Sequence, residues 1–301
     1  MLPAGSMFTV PDVDNTTDGE NGLPSIDTAE ITIEGNGATI RRNPADPDTF
    51  RLFHVAATGT LALVGTRVTG GVADGTFLES SGGSILNRGT VTLTNSTVSG
   101  SSAGQGGGIY NYFGSLAFNN STVSGNSASQ QGGGIFNFGA SVTLVNSTVS
   151  GNSAGQGGGI FNRSDTVALT NSTVAGNSAA IGGGGVYNIG DAILTNTIIA
   201  NQLAGADCIA LPAVVSNDHN LDSDGSCNLT QANDIPGGNA NLGPLALNAP
   251  GATATHALLS GSDALEAGDC SGGHDLHRPA RRQSAAGWRR HRAGCLRYRV
   301  L

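Results

Sequence analysis

The chain has 301 residues, of which 47 are glycine and only 12% are charged, and its formal net charge is −8. Residues 1–277 carry 22 acidic residues against six arginines, whereas residues 278–301 carry eight arginines and no acid. An acidic body without any lysine argues against nucleic-acid binding, and no apolar run is long enough to span a membrane.

Residues 1–30 precede the first repeat and are interpreted as an acidic N-terminal cap segment. Their start, MLPAGSMFTV, has neither the cationic region nor the apolar core of a signal peptide. The segment itself therefore gives no direct indication of the compartment.

Residues 31–201 contain a repeat of about 25 residues. The motif GGGIYN or GGGIFN ends in an asparagine that recurs at intervals of 24, 26, 25 and 26 residues, and NSTVSG recurs in phase with it. Runs such as SVTLVN alternate with the period of a strand. A unit this short cannot bury its own apolar face, so the units must stack. We therefore predict an all-β fold, a single-stranded, right-handed parallel β-helix of seven coils, each with three strands and a glycine-rich return.

The asparagine of the motif has a predicted structural role. An asparagine at one place in stacked strands pairs its side-chain amide with those above and below it. The glycines suit a tight corner where the backbone takes positive φ or approaches the next coil closely. We expect an asparagine ladder formed by Asn87, Asn111, Asn137, Asn162 and Asn188.

One position of the same motif is aromatic in four consecutive coils. The aromatic residues are Tyr110, Phe136, Phe161 and Tyr187. If this face lies outside, the rings form a binding ladder on which sugar rings stack. If it lies inside, the rings belong to the core, which is the favoured interpretation because long exposed aromatic stripes are uncommon.

The NSTVSG strand carries a further column of small hydroxyl side chains. Thr122, Ser124, Thr148 and Ser150 share one face, and later coils replace them with residues such as Ile198 and Ala200. We interpret this column as an ordinary solvent-exposed face of the sheet.

Acidic residues are scarce in the regular coils. Between residues 91 and 201 the only acids are Asp165 and Asp191, one coil apart near the same corner. Two polar corner residues are the favoured interpretation. A paired-carboxylate catalytic site is the alternative, because glycoside hydrolysis needs two facing carboxylates.

Residues 202–270 are predicted to form loop-rich C-terminal coils and a cap. Cys208 and Cys227 flank a loop and are predicted to form a disulfide, with free thiols as the alternative. Asn220, Asp222 and Asp224 precede a glycine as in the first half of a calcium-binding loop, but the terminal glutamate of that pattern is missing. We therefore predict no cofactor, with calcium at these three residues as the alternative.

Several segments outside the coils resemble a known family. DNTTDGENGLPSI (14–26), ITIEGNGATIRR (31–42), FRLFHVAATGTLALVGTRVTGG (50–71) and LGPLALN…ATATHALLSGSDALEAG (242–268), together with the coils, resemble bacterial choice-of-anchor Q domain proteins. These resemble polymorphic outer membrane protein repeats and the pectate-lyase-like β-helix superfamily. The resemblance implies export to a surface or secreted location, and a chain truncated at its start.

The arginine-rich residues 271–301 depart from that family. We hypothesise that they result from a frameshift between about residues 270 and 277, since codons permitted for His277–Arg282 can spell the family's Thr-Asp-Gln-Arg-Gly when read one base later. A genuine basic interaction tail is the alternative.

The predicted function is an extracellular or cell-surface module for adhesion or for binding a polysaccharide or a cell-surface glycan, without a catalytic centre. A polysaccharide lyase or glycoside hydrolase is one alternative. A structural stalk of a larger anchored protein is another.

Overall fold

The computed structural model of the chain describes residues 1–265 and 267–268. In this part of the chain every regular element is a β-strand, and no helix that could cross a membrane is present. Three long parallel sheets run side by side and contain nearly all of the strands. The chain visits the three sheets in turn and then begins again, so it forms the predicted parallel β-solenoid.

Sheet I contains the VTLV-type strands. Its members are β2 (Glu30–Glu34), β5 (Thr60–Val64), β9 (Thr90–Thr94), β13 (Ser115–Asn119), β17 (Val142–Val145), β21 (Thr166–Thr170), β24 (Asp191–Thr195) and β27 (Val215–Ser216). Eight strands in chain order correspond to seven complete turns of the solenoid.

Sheet II contains the STVSG-type strands. Its members are β1 (Met7–Val10), β3 (Thr39–Arg42), β6 (Arg67–Thr69), β10 (Thr97–Ser99), β14 (Thr122–Ser124), β18 (Thr148–Ser150), β22 (Thr173–Ala175), β25 (Ile198–Ala200), β28 (Leu221–Asp222) and β29 (Ile235–Pro236).

Sheet III contains the GGGIYN-type strands and has two rows. One row consists of β4 (Phe53–Val55), β8 (Ile85–Asn87), β12 (Ile109–Tyr112), β16 (Ile135–Phe138) and β20 (Ile160–Ser164). The other consists of β7 (Val72–Ala73), β11 (Ser102–Gln105), β15 (Ser127–Gln131) and β19 (Ser153–Ala154). The long β23 (Ser178–Asn188) joins both rows and pairs with β26 (Ala204–Ala210).

The interior follows from strand alternation. In β17, Val142 and Leu144 are fully buried whereas Thr143 is exposed. Val149 of β18 and Ile135 of β16 enter the same apolar cluster from the other two sheets. Each turn thus supplies one layer of aliphatic side chains to a continuous core, as expected when alternating strands face a shared interior.

The second row of sheet III is a departure from the sequence analysis, which predicted only a glycine-rich return there. Serine and alanine continue the strand alternation in these segments, and Ala73, Ala128 and Ala179 are buried. Corresponding residues pair in register, as Ser127 does with Ser102 and Ser153. Small side chains therefore allow a fourth strand in each regular coil.

The sheets of the solenoid extend beyond the regular repeat of residues 31–201 at both ends. Residues 1–30 include β1, which pairs with β3, and a bridge from Ile26 to Val55 of β4. After residue 201 the sheets continue through β26, β27, β28 and β29. The irregular sequences of these turns conceal the repeat while the backbone pairing persists.

The hydroxyl column of sheet II is not the solvent face that we predicted. The antiparallel hairpin of β30 (Leu242–Leu247) and β31 (Ala254–Leu258) lies over it. The Thr122 hydroxyl donates to the Ala254 carbonyl at 2.7 Å, and the Ser150 hydroxyl lies 2.8 Å from Nε2 of His256. Leu258 packs in one cluster with Ile198. The hydroxyls of the middle turns are therefore buried under the hairpin, and the apolar replacements in later turns pack against it.

The five motif asparagines form the expected ladder. Each side-chain Nδ2 donates to the Oδ1 of the next asparagine, at 2.7 Å from Asn87 to Asn111, 2.8 Å to Asn137, 2.8 Å to Asn162 and 2.7 Å to Asn188. All five side chains are fully buried. Asn137 Nδ2 also donates to the carbonyl of Ala140. The ladder therefore satisfies the buried amides and joins sheet III to the corner before sheet I.

Cys208 and Cys227 form a disulfide, with a sequence separation of 19 residues. Both side chains are buried at the C-terminal end of the solenoid core. The bond ties β26 to the loop after β28, where the repeat has become irregular.

Changing Asn137 to Ala should lower the free energy of unfolding by about 3 kcal/mol, because it removes hydrogen bonds from two buried neighbours in the ladder. Urea denaturation monitored by circular dichroism measures the effect. Asn119→Ala is the matched control, since Asn119 is exposed and should change stability by no more than about 0.5 kcal/mol. Equal losses in the two variants would contradict the structural role of the ladder.

Reduction of the disulfide should destabilise the last turns by about 3 kcal/mol, the magnitude expected for a loop of this length. Hydrogen exchange before and after reduction should accelerate in residues 204–229 and remain unchanged in residues 109–150. Uniform acceleration along the solenoid would contradict a local role for the bond.

Candidate functional site

The four aromatic residues of the motif do not form the binding ladder considered above. Tyr110, Phe136 and Phe161 are each 1% exposed, and Tyr187 is half-buried. Consecutive rings are stacked nearly parallel, with centroids 4.8, 5.1 and 4.9 Å apart. Their faces contact each other, so they are not free to stack on a sugar. The rings are buried, as the favoured interpretation expected. They form a cluster separate from the solenoid interior.

A second group of aromatic residues lies further out on the same sheet. We call Phe77, Tyr112, Phe113 and Phe138 the outer aromatic cluster. Tyr112 and Phe138 are paired in register on β12 and β16, with ring centroids 5.5 Å apart. Phe113 meets both of them edge-on at 4.8 and 5.2 Å, and Phe77 meets Tyr112 edge-on at 6.2 Å. Phe77 is 62% exposed and Phe113 is 59% exposed.

Two arginines border the outer aromatic cluster. Arg88 and Arg163 each follow a ladder asparagine, as do Tyr112 and Phe138 in the turns between them. The Arg88 guanidinium lies 5.7 Å from the centroid of Tyr112, and that of Arg163 lies 5.3 Å from the centroid of Phe138. Both distances suit cation–π attraction. The register of the solenoid thus aligns two rings between two cations on its surface.

The backbone of the cluster is strained at its exposed positions. Phe113 has φ 56° and Phe77 has φ 45°, in the left-handed region that residues with bulky side chains rarely occupy. In the following turn the position corresponding to Phe113 is Gly139, with φ 83°. A Cβ on Gly139 would meet the ring of Phe113, so the ring lies directly over this glycine. The left-handed backbone at this corner recurs in successive turns, and at Phe113 it leaves a large ring exposed on the surface.

A polar groove adjoins the cluster. It has a volume of about 320 Å³ and is lined in part by Asp74, Ser80, Ser102 and Gln130. Phe77 belongs to the same loop as Asp74 and Ser80, so groove and cluster share that loop. The surface therefore combines apolar rings with hydroxyl, amide and carboxylate groups.

A polar cluster occupies the N-terminal end of this surface. His54 of β4 is paired in register with Leu86 of β8, which in turn is paired with Tyr110 of β12. His54 therefore occupies, in an earlier turn, the strand position of the stacked rings. Its Nε2 lies 3.2 Å from Oδ2 of Asp18, and its Nδ1 lies 3.0 Å from Oγ of Ser25. The His54 side chain is 1% exposed. Burial lowers the pKa of His54, although Asp18 acts in the opposite direction.

Asp18 is held by two arginines. Arg88 Nη1 donates to Asp18 Oδ2 at 2.7 Å, and buried Arg51 donates to the Asp18 carbonyl at 2.9 Å. Arg51 also donates to the carbonyls of Leu78 and Glu79, so it fixes the loop that carries Phe77. Burial lowers the pKa of Arg51 to about 10. Hydrogen bonds and charge interactions with Arg88 and His54 hold the pKa of Asp18 below its usual value, against the opposing effect of its partial burial.

The acids that the sequence analysis considered as a catalytic pair lie elsewhere. Asp165 and Asp191 are exposed residues in successive corners, and the Asp191 amide donates to the Asp165 carbonyl at 2.9 Å. Asp165 has φ 62°, as a turn residue does. Asn162 Nδ2 donates to both backbone carbonyls. Their observed interactions are those of corner residues.

The side chains of the three residues considered for calcium binding accept hydrogen bonds from backbone amides at different places. Asn220 Oδ1 accepts from the Thr197 amide, and the Asp222 carboxylate accepts from the amides of Gly225 and Cys227. Asp224 accepts from the amide of Asp207. Among the described residues no group of three or more His, Cys, Asp or Glu side chains is arranged to hold a metal ion.

The repeat in the sequence could have predicted some residues of this surface but not others. Tyr112 and Phe138 occupy the position after the ladder asparagine, so the repeat itself aligns them. Phe77, Ser25 and Asp18 lie in irregular segments, where no period relates them to neighbours.

Comparisons with protein-family models, with curated proteins and with solved structures returned no match to this chain.

Proposed function

We propose that the chain is a binding module that attaches to glycans through the outer aromatic cluster. The observation that carries the proposal is the exposure of Phe77 and Phe113 beside two more rings and two guanidiniums. Aromatic faces provide apolar contact for sugar rings, and ligand sites add a few polar groups that fix orientation. The adjoining groove supplies hydroxyl and amide partners for sugar hydroxyls.

The proposal includes a location outside the cytoplasm, on the cell surface or secreted. The Cys208–Cys227 disulfide supports it, because such bonds persist in oxidising compartments. The family resemblance of the sequence supports it as well. A rigid parallel solenoid suits adhesion, since each turn adds one strand spacing of about 4.8 Å and thereby sets the position of the binding surface.

The alternatives have less support. A polysaccharide lyase or hydrolase acting through Asp165 and Asp191 would need these corner carboxylates to act on a substrate together. A stalk without a ligand leaves the strained, exposed phenylalanines without a role. Glycan binding accounts for the exposed rings and the adjoining polar groove together.

A glycan array probed with the purified chain should show binding to a defined set of glycans. Phe77→Ala with Phe113→Ala should weaken binding at least tenfold, because both changes remove exposed apolar contact area. Phe8→Ala is the matched control, since Phe8 is an exposed phenylalanine on β1 of sheet II. Absence of glycan binding by the unaltered chain, or full binding by the double variant, would contradict the proposal.

Phe113→Gly should separate binding from stability. Glycine accepts the left-handed backbone at this position without strain. We expect glycan binding to weaken while the midpoint of thermal unfolding does not fall. A fall of several degrees together with the loss of binding would identify Phe113 as a packing residue instead.

A further inference from the structure

The polar cluster at the end of the outer aromatic cluster has the arrangement of a nucleophile, a base and a carboxylate. Ser25 Oγ is 3.0 Å from His54 Nδ1, and His54 Nε2 is 3.2 Å from Asp18 Oδ2. A hydroxyl within hydrogen-bond reach of an imidazole, which is in turn oriented by a third group, is the general arrangement for nucleophilic catalysis. Such sites are recognised by geometry and roles and not by sequence order.

From this geometry we propose that Ser25, His54 and Asp18 form an acyl-transfer centre that hydrolyses small carboxylic esters. Ser25 is the nucleophile, His54 is the general base and Asp18 is a positioning residue. The substrate class is an O-acyl ester of an alcohol such as a sugar hydroxyl. This activity does not depend on which glycan the outer aromatic cluster binds.

The hydrogen-bond network is compatible with these roles. When Nε2–H of His54 donates to the Asp18 carboxylate, Nδ1 is left as an acceptor that faces the Ser25 hydroxyl. In the structure that hydroxyl donates to Asn15 Oδ1 at 3.0 Å. Asn15 Oδ1 accepts from Asn21 Nδ2 at 2.9 Å and from the Thr17 amide at 3.2 Å as well. When the Ser25 hydroxyl rotates towards His54, Asn15 Oδ1 loses that bond but keeps the other two.

The position of Asp18 is fixed by its surroundings. Its backbone has φ 55°, a left-handed turn conformation that Asp adopts more readily than most residues, and Arg51 holds its carbonyl from the buried side. Arg88 holds the same carboxylate oxygen that faces His54. Asp18 lies in a turn, and these contacts hold its carboxylate in place beside His54.

The reaction is balanced with water as the second reactant. Ser25 Oγ attacks the ester carbonyl while its proton moves to Nδ1 of His54, and collapse of the adduct returns that proton to the departing alcohol. Water then attacks the acyl-serine, with His54 again taking and returning one proton. The products are one alcohol and one carboxylic acid, and Ser25 regains its hydroxyl.

The protonation of His54 gives a pH profile. The charged groups that act on it are Asp18, Arg51 and Arg88, and burial is the largest influence, lowering its pKa from the ordinary 6.5. The base is therefore neutral at neutral pH. The rate should rise with pH through a midpoint below 6.5 and then stay level.

The first experiment labels the full chain with a fluorophosphonate, which reacts with activated serine hydroxyls, and locates the adduct by peptide mass spectrometry. The adduct is expected on Ser25. Because the adduct is located in the unaltered protein, this test does not depend on whether a variant folds. Labelling of other serines only, or none, would overturn the proposal.

Hydrolysis of p-nitrophenyl acetate provides the kinetic test. Ser25→Ala and His54→Gln should each lower the rate by about a hundredfold or more. Ser6→Ala is the matched control, because the Ser6 hydroxyl donates to the Pro3 carbonyl at 2.6 Å. Asp18→Asn should lower the rate and move the pH midpoint further down, whereas a purely structural role would leave the midpoint unchanged. Unchanged rates in folded Ser25→Ala, verified by circular dichroism, would refute the proposal even if glycan binding holds.

Discussion

The register between successive turns is the constraint on which the rest of this structure depends. Parallel pairing places Asn111 directly beside Asn137 and Tyr112 beside Phe138. The buried amide ladder reinforces that register, because each asparagine donates to the next and a slip would leave buried amides without partners. Residues at the same position of successive repeats therefore lie side by side on neighbouring strands. Such rows of equivalent residues form both the core and the outer aromatic cluster.

This constraint explains how far the sequence predicts the fold. The 25-residue repeat, the three main strands of each coil, the asparagine ladder and the Cys208–Cys227 bond were all expected and are present. The sequence did not predict that the hairpin of β30 and β31 covers sheet II, because threonine and serine side chains are equally common on solvent-exposed faces. The replacement of threonine and serine by Ile198 and Ala200 was the available signal, since these residues pack under the C-terminal hairpin.

The candidate site was predicted less well for a physical reason. Alternation indicates which residues share a face, but Tyr110 and Phe136 are buried in a cluster of their own outside the solenoid interior. Of the two exposed rings, Phe113 lies two positions after a ladder asparagine, whereas Phe77 lies in an irregular loop. Ser25, His54 and Asp18 meet through the packing of an irregular segment on β4, which no repeat encodes. Proximity of that kind depends on tertiary structure alone.

Disulfide cross-linking between neighbouring strands measures the register itself. Ala117 of β13 is paired with Thr143 of β17, and Asn119 is paired with Val145. In a background with Cys270 and Cys295 changed to serine, Ala117→Cys with Thr143→Cys should oxidise readily, because adjacent parallel strands lie about 4.8 Å apart, within disulfide range. Ala117→Cys with Val145→Cys, two residues out of register, should not. Equal cross-linking of the two pairs would contradict the stacked register from which the binding surface follows.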